Sequence, residues 1–262
     1  MAGPEIRFKD GAGYEQVMGR WSRTAGEIFL DWTAPPRGWR WLDVGCGNGA
    51  FTELLIERCA PAEVQGIDPS PAQLDFARKR AGAQLAQFQQ GDAMALPFES
   101  ARFDAATMAL VIFFVPDPRK GVAEMARVVR PGGTVAAYAW NMPGGGFPYE
   151  AIRQEIAASG LTPVSPPSAD ASRIEAMQVL WQDAGLDGIE TREITVERRF
   201  ADFEEFWSAG LLSASIRATL GTMTPPEVEA LKERVRRRFP SDAEGRITVG
   251  ARANAVKGRV KG

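Results

Sequence analysis

The chain has 262 residues, enough for one large domain with a substantial core and no need of disulfide or metal staples. Its 31 basic and 33 acidic residues leave a formal charge of −2, which argues against a protein whose main business is gripping phosphate backbones or anionic lipid. There is no histidine and there are only two cysteines, Cys46 and Cys59, which excludes His-based triads, most catalytic zinc sites and a disulfide framework.

The opening MAGPEIRFKDG has no apolar stretch, and the longest strongly apolar run, 105–115, is about half of the ~20 residues a membrane-spanning helix needs. The expectation is a cytoplasmic chain with reduced cysteines and no membrane partner. Residues 14–34 carry apolar residues at near-helical spacing and stop at Pro35-Pro36, which predicts one or two leading helices. A strand follows over 39–44, then a glycine turn over 45–49 and a helix over 50–58. The pattern repeats with a strand over 64–67 and a helix over 71–80, Ser70 serving as N-cap before Pro71 at the first helical position. A half-polar strand over 85–89 comes next. The run 103–114 is apolar almost throughout and suits a buried parallel strand. A helix over 117–129 is broken by Pro131-Gly132-Gly133, and a strand over 134–140 follows.

The second half is less regular. Gly144-Gly145-Gly146 and residues 163–168 read as loop, 172–184 as a helix, 189–198 as a strand, 202–220 and 225–239 as two amphipathic helices, and 246–260 as a last strand. The alternation of strands and helices predicts an α/β fold, doubly wound and Rossmann-like, with a mostly parallel seven-stranded sheet and a helical insertion before the last strand. The expected organisation is a single domain: a helical cap over 1–38, a ligand-binding core over 39–141 and the insertion over 201–240.

Gly45, Gly47 and Gly49 lie between a strand and a helix, where glycine allows a sharp turn and close approach of a ligand to the main chain. Asp68 ends the second strand, 23 residues after Gly45, and an acid there can accept both hydroxyls of a ribose. These two features suit a nicotinamide enzyme as well as an S-adenosylmethionine enzyme, since Gly45-x-Gly47-x-x-Ala50 also satisfies the dinucleotide fingerprint. The third strand separates them. Asp92 at its end can accept from an adenine amine, Ala93 is small enough for the ring to lie flat, and Pro69 can cover its other face. Downstream stands Glu124-x-x-Arg127-x-x-Arg130-Pro131-Gly132-Gly133 before a strand.

With these residues in order, the chain resembles class I S-adenosylmethionine-dependent methyltransferases of the small-molecule group related to the ubiquinone and menaquinone biosynthesis enzymes. LDVGCGNGAFTELL resembles the family's first motif, GIDPSPAQLDFARKR its second strand and helix, GDAMALPFESARFDAATMAL its adenine-binding segment and fourth strand, and RVVRPGGTVAAYAW its fifth strand. The likeness covers roughly residues 40–140; the leading YEQVMGRWSR resembles an N-terminal helix of one bacterial branch.

The resemblance implies that Gly45, Cys46 and Gly47 pass against the methionine part of S-adenosylmethionine, that Asp68 holds the ribose hydroxyls with Gln73 nearby, and that Pro69, Asp92 and Ala93 frame the adenine. It implies that Met108 and Ala109 approach the methionine part with their backbone. Tyr14, Arg20 and Trp21 would sit on a lid helix over the cofactor, Arg20 pairing with its carboxylate; Tyr14 and Trp21 equally suit plain core packing. Many relatives carry a histidine near the end of the fourth strand, where this chain reads Ile112-Phe113-Phe114-Val115-Pro116-Asp117. No shared proton-relay residue can therefore be named, and the acceptor side is expected to be apolar. The expected activity is methyl transfer to a small, apolar or aromatic molecule, leaving S-adenosylhomocysteine, with no metal and no nucleic-acid partner. The alternative is a catalytically silent chain of this fold that binds the cofactor or its product as a sensor. A homodimer is left open. Phe203, Phe206, Trp207, Leu211 and Leu212 give the insertion one apolar face, for packing or for covering the acceptor pocket.

Overall fold

The structure is a computed structural model; it describes residues 11–262, and side chains from Met18 onward except that of Ala214. One sheet of seven strands runs through it in the order β3-β2-β1-β4-β5-β7-β6. The strands are β1 (Arg40–Val44), β2 (Glu63–Asp68), β3 (Ala86–Gln90), β4 (Phe103–Ala109), β5 (Val129–Trp140), β6 (Asp187–Phe200) and β7 (Ile247–Arg259). The first five are parallel; β7 runs against both of its neighbours, β5 and β6. β6 therefore points the same way as β5. The carboxyl ends of six strands share one edge of the sheet, and the chain order reverses between β1 and β4, where such sheets form a ligand crevice.

Short-range chemistry explains most boundaries. Helix α2 (Ala50–Cys59) starts directly after the glycine turn. Helix α3 (Pro71–Ala77) begins at Ser70, whose side chain accepts from the Gln73 amide, with Pro71 in its first turn. Helix α4 (Pro118–Val128) is capped the same way by Asp117, which accepts from the Lys120 amide. The amino-terminal segment is one helix, α1 (Gly11–Thr33), not two. It packs on α2 and on the β5 face of the sheet, where Phe29, Phe51 and Tyr138 form a ring cluster with centroids 4.8–6.2 Å apart.

Four expectations need correction. The apolar run after 103 is not strand throughout. β4 stops at Ala109, Leu110 takes φ 63°, and Ile112–Phe114 coil into a 3-10 turn. β5 starts at Val129, five residues before its expected start, and passes the Pro131-Gly132-Gly133 segment across an irregular register opposite Phe103–Ala105. A helix not expected, α5 (Glu150–Ala158), follows the glycine loop and buries Ile152 and Ile156. The region 202–220 is two helices, α7 (Phe203–Leu211) and α8 (Ala214–Leu220), broken at Leu212-Ser213. The remaining helices, α6 (Ile174–Asp183) and α9 (Pro225–Arg236), lie near their expected places.

The insertion between β6 and β7 is bound into the molecule. Phe203, Phe206 and Trp207 are buried with Phe200 and Tyr149. The basic run of α9 carries ion pairs: Lys232 and Arg236 to Glu204 on α7, Arg236 also to Glu233, and Arg234 and Arg238 to Glu155 on α5.

Candidate functional site

At the shared strand edge a cavity of about 550 Å³ opens over β1, β2 and β4. Its floor is the glycine turn. The Gly45 and Cys46 amides both donate to the Ile67 carbonyl, at 2.7 and 3.0 Å, which ties the turn to the end of β2. Gly45 and Gly47 adopt φ 75° and 51°. A Cβ on Gly45 would strike Val111 at 2.5 Å, so that glycine serves packing; a Cβ on Gly47 would meet nothing within 4 Å and would project into open space. Gly47 is thus the point where a ligand can approach the main chain.

Asp68 stands beside it with both carboxylate oxygens oriented. Oδ2 accepts from the Gly47 amide at 3.0 Å and Oδ1 from the Ser70 amide at 2.8 Å. Burial pushes its carboxyl above the ordinary range, and the two amides pull it back in part. Asp92 is exposed and accepts from the Met94 amide at 2.8 Å. The segment behind it is clamped to α4: Arg127 donates to the Leu96 and Phe98 carbonyls at 3.0 and 2.8 Å, and Glu124 accepts from the Leu96 amide at 2.8 Å while pairing with Arg127. The Glu124-x-x-Arg127 spacing seen in the sequence is this clamp.

Of the residues singled out in the sequence, Gly45, Cys46, Gly47, Asp68, Pro69, Gln73, Asp92, Ala93 and Ala109 all line the one cavity. Four do not. The Tyr14 side chain lies outside the described residues. Arg20 is exposed and absent from the cavity wall. Trp21 is buried against Phe200, ring centroids 6.3 Å apart, because α1 turns that face toward β6; its neighbour Ser22 reaches the cavity instead. Met108 is fully buried with its methyl end toward Gly121 on α4. Among the described residues, none of 201–240 lines the cavity.

Other wall residues were not singled out. Asp43 is fully buried at the end of β1. Its Oδ2 accepts from the Thr52 hydroxyl at 2.6 Å, and its Oδ1 has no partner among the described residues. Burial, helped by the Asp68 charge and opposed by the Thr52 hydrogen bond, raises its carboxyl to about 7. The Gln73 Oε1 is likewise buried without a partner. An acid inside the apolar run Trp41-Leu42-Asp43-Val44 was the available signal for Asp43. The wall also carries apolar residues, Phe51, Leu110, Val111 and Phe114, with Tyr138. Phe113 packs inward against Phe114 at 4.6 Å, so only one of that pair faces the cavity. Leu110 holds its positive φ here, donating its amide to the Tyr138 carbonyl at 2.8 Å. The Cys46 thiol is raised well above its ordinary range, by burial first and then by Asp43 and Asp68, which makes it inert. Among the described residues no group of three or more histidine, cysteine, aspartate or glutamate side chains could hold a metal ion.

Residues 42–137 match a family model described as a methyltransferase domain. A demethylmenaquinone methyltransferase from Deinococcus radiodurans is 43% identical over 129 residues, covering 48% of this chain and 52% of that protein. One from Thermus thermophilus is 37% identical over 126 residues, covering 47% and 56%. The chain thus spans about half the length of the curated relatives it matches. Among solved structures, phosphoethanolamine N-methyltransferase 2 of Haemonchus contortus, in complex with S-adenosyl-L-methionine, superposes with a TM-score of 0.59 at 18% identity, over 96% of this chain and 57% of that one. At that identity the likeness is one of fold.

Proposed function

We propose that this chain, which carries a methyltransferase domain over residues 42–137, moves a methyl group from S-adenosylmethionine to a small, apolar or aromatic acceptor. The observation that carries the reading is the set of hydrogen-bond acceptors brought around one cavity by three neighbouring strand ends: Asp43 near the end of β1, Asp68 at the end of β2 and Asp92 just after β3, with Gln73 also in the wall. The donors of an S-adenosylmethionine molecule match that set. Asp68, fixed by two main-chain amides, is placed for ribose hydroxyls, with the buried Gln73 Oε1 free to help. The partnerless Oδ1 of Asp43 suits an ammonium group, and the exposed Asp92 an adenine amine. Gly47 leaves the room that a side chain would take. A buried polar atom without a partner costs about 1–3 kcal/mol, so the two orphaned oxygens favour a ligand that brings donors.

When bound, S-adenosylmethionine supplies an electrophilic methyl on a sulfonium sulfur. The chain's own work is alignment and exclusion of water. Phe51, Leu110, Val111 and Phe114 give the cavity apolar wall that helps exclude water. Holding two reactants in line is worth roughly 7–11 kcal/mol of barrier, which needs no imidazole. The curated relatives named for demethylmenaquinone make an aromatic or quinone-like ring a natural acceptor class. The basic run of α9 is engaged in ion pairs, which speaks against a nucleic-acid acceptor. No helix among the described residues is long and apolar enough to cross a membrane, and a cytoplasmic site of action fits this reading.

The test is transfer of label from methyl-tritiated S-adenosylmethionine into a small-molecule cell extract and a panel of quinones and phenols. The expected result is a labelled small molecule that depends on Asp68. A chain that binds the labelled cofactor and passes label to nothing would contradict the reading and favour a sensor.

A further inference from the structure

β6 presents Ile194, Val196 and Phe200 to the core, and Arg198 stands among them on the same face. Its side chain is only 11% exposed. An inward-facing guanidinium is costly unless its donors are used. One is: Nη2 donates to Glu205 Oε1 at 3.0 Å. The other two nitrogens, Nε and Nη1, are buried and have no hydrogen-bond partner among the described residues. The guanidinium lies over the Phe200 ring, 4.2 Å from its centroid. Trp21 packs on the same ring with its indole N–H buried. The Tyr149 phenol feels both groups: burial raises its pKa, and a hydrogen bond with the Trp21 indole and the Arg198 charge lower it in part. The surroundings are aromatic, with Phe206 against both Phe200 and Tyr149. Glu205 is no full answer to this charge, being half-exposed and sharing its other oxygen with the Ala201 amide at 2.7 Å.

The place matters as much as the chemistry. β6 runs in the same sense as β5, so Arg198 lies at the same carboxyl edge of the sheet as the candidate cofactor cavity, three strands from β4. It faces the same side of the sheet as Tyr138, by the register Tyr138–Ala255–Arg192 and the alternation along β6. Ser22, one residue from Trp21, and Tyr138 both belong to the cofactor cavity's wall. α1 thus separates, and connects, the two places.

We propose that Arg198 binds the anionic group of the methyl acceptor, so that the acceptor is a small aromatic or otherwise apolar acid rather than a neutral ring. This rests on the methyltransferase reading and narrows it. Two buried, unpartnered guanidinium nitrogens beside Phe200, Phe206 and Tyr149 suit a carboxylate on an apolar body.

Benzoate, with benzamide as its neutral isostere, probes the site in the intact chain saturated with S-adenosylhomocysteine. Tryptophan fluorescence and calorimetry read binding. The expected result is that benzoate binds and benzamide does not, that Arg198→Met weakens benzoate on the order of ten- to a hundredfold, and that Arg198→Lys recovers part of the loss. Affinity for S-adenosylhomocysteine should be the same in all three proteins, and the melting temperature of Arg198→Met should hold or rise, since a costly buried charge has been removed. Equal binding of benzoate and benzamide, or undiminished benzoate binding in Arg198→Met, overturns the proposal. So does a lowered melting temperature in Arg198→Met with benzoate binding intact, which would make Arg198 a structural partner of Glu205 alone. Failure of the wild-type chain to bind S-adenosylhomocysteine overturns instead the reading on which the proposal rests.

Discussion

At the scale of single residues, the carboxylates at the strand ends have different tasks because their surroundings differ. Asp68 is oriented by two amides and is the residue proposed to hold the ribose hydroxyls. Asp68→Ala should weaken S-adenosylhomocysteine on the order of tenfold to a hundredfold in a calorimetric titration, since each charge-assisted hydrogen bond is worth about 1.5–3 kcal/mol. Asp43 is a pH-sensitive group. Its carboxyl is raised by burial from 3.8 to about 7, so the folded chain binds a proton that the unfolded chain has released across that window. Its contribution to stability is therefore fully present below the ordinary value and is lost as pH rises through about 7, by an amount on the order of a few kcal/mol. The melting temperature of the ligand-free chain should fall with rising pH over this range, and less so in Asp43→Asn. A donor bound at Oδ1 favours the ionised form, so affinity for S-adenosylhomocysteine should climb as pH approaches 7 and level off above it; a flat profile in the wild type would remove Asp43 from the site. Asp68 and Asp92 were legible in the sequence because each ends a strand at a fixed distance from the glycine turn. Asp43 was hidden inside the motif that drew attention to its glycines. Arg198 was hidden because period-two alternation marks a face of a strand and cannot tell an inward arginine from an outward one.

At the scale of elements, the site depends on how the strands are held from behind. Arg127 on α4 binds the Leu96 and Phe98 carbonyls and so fixes the segment that carries Asp92 and Ala93. Arg127→Ala should lower stability by about 1–3 kcal/mol, by thermal unfolding, and weaken S-adenosylhomocysteine several-fold although the residue touches no part of the cavity. Unchanged affinity would show that the segment holds its place without the clamp. The parallel core strands were legible because turn glycines and caps punctuate short apolar runs. The end of β4 was not: Ala105 to Val115 is evenly apolar, and the break at Leu110 comes from a positive φ that a leucine does not advertise. α5 was missed because its nine residues follow a glycine loop that dominates the local pattern.

At the scale of the whole molecule, the last third completes the fold, and none of its described residues lines the cavity. Phe206 sits at the meeting of Phe200, Phe203, Tyr149 and Phe239, with centroids 4.9–6.0 Å apart. Phe206→Ala should cost about 3–5 kcal/mol in thermal unfolding while leaving affinity for S-adenosylhomocysteine per folded molecule unchanged; a stable but non-binding variant would show that the insertion reaches the cofactor after all. The seven strands and the late insertion could be read from the alternation of elements, but the place of the insertion could not, because an amphipathic helix declares its apolar face and not what that face meets.

The central claim is that the strand ends of β1, β2 and β3 together hold an adenosyl ligand. It is tested most directly by titrating the intact chain with S-adenosylhomocysteine and, in parallel, with a nicotinamide dinucleotide, and counting bound ligand by calorimetry. One molecule of S-adenosylhomocysteine should bind per chain with no heat from the dinucleotide; the reverse pattern, or silence from both, would contradict the assignment.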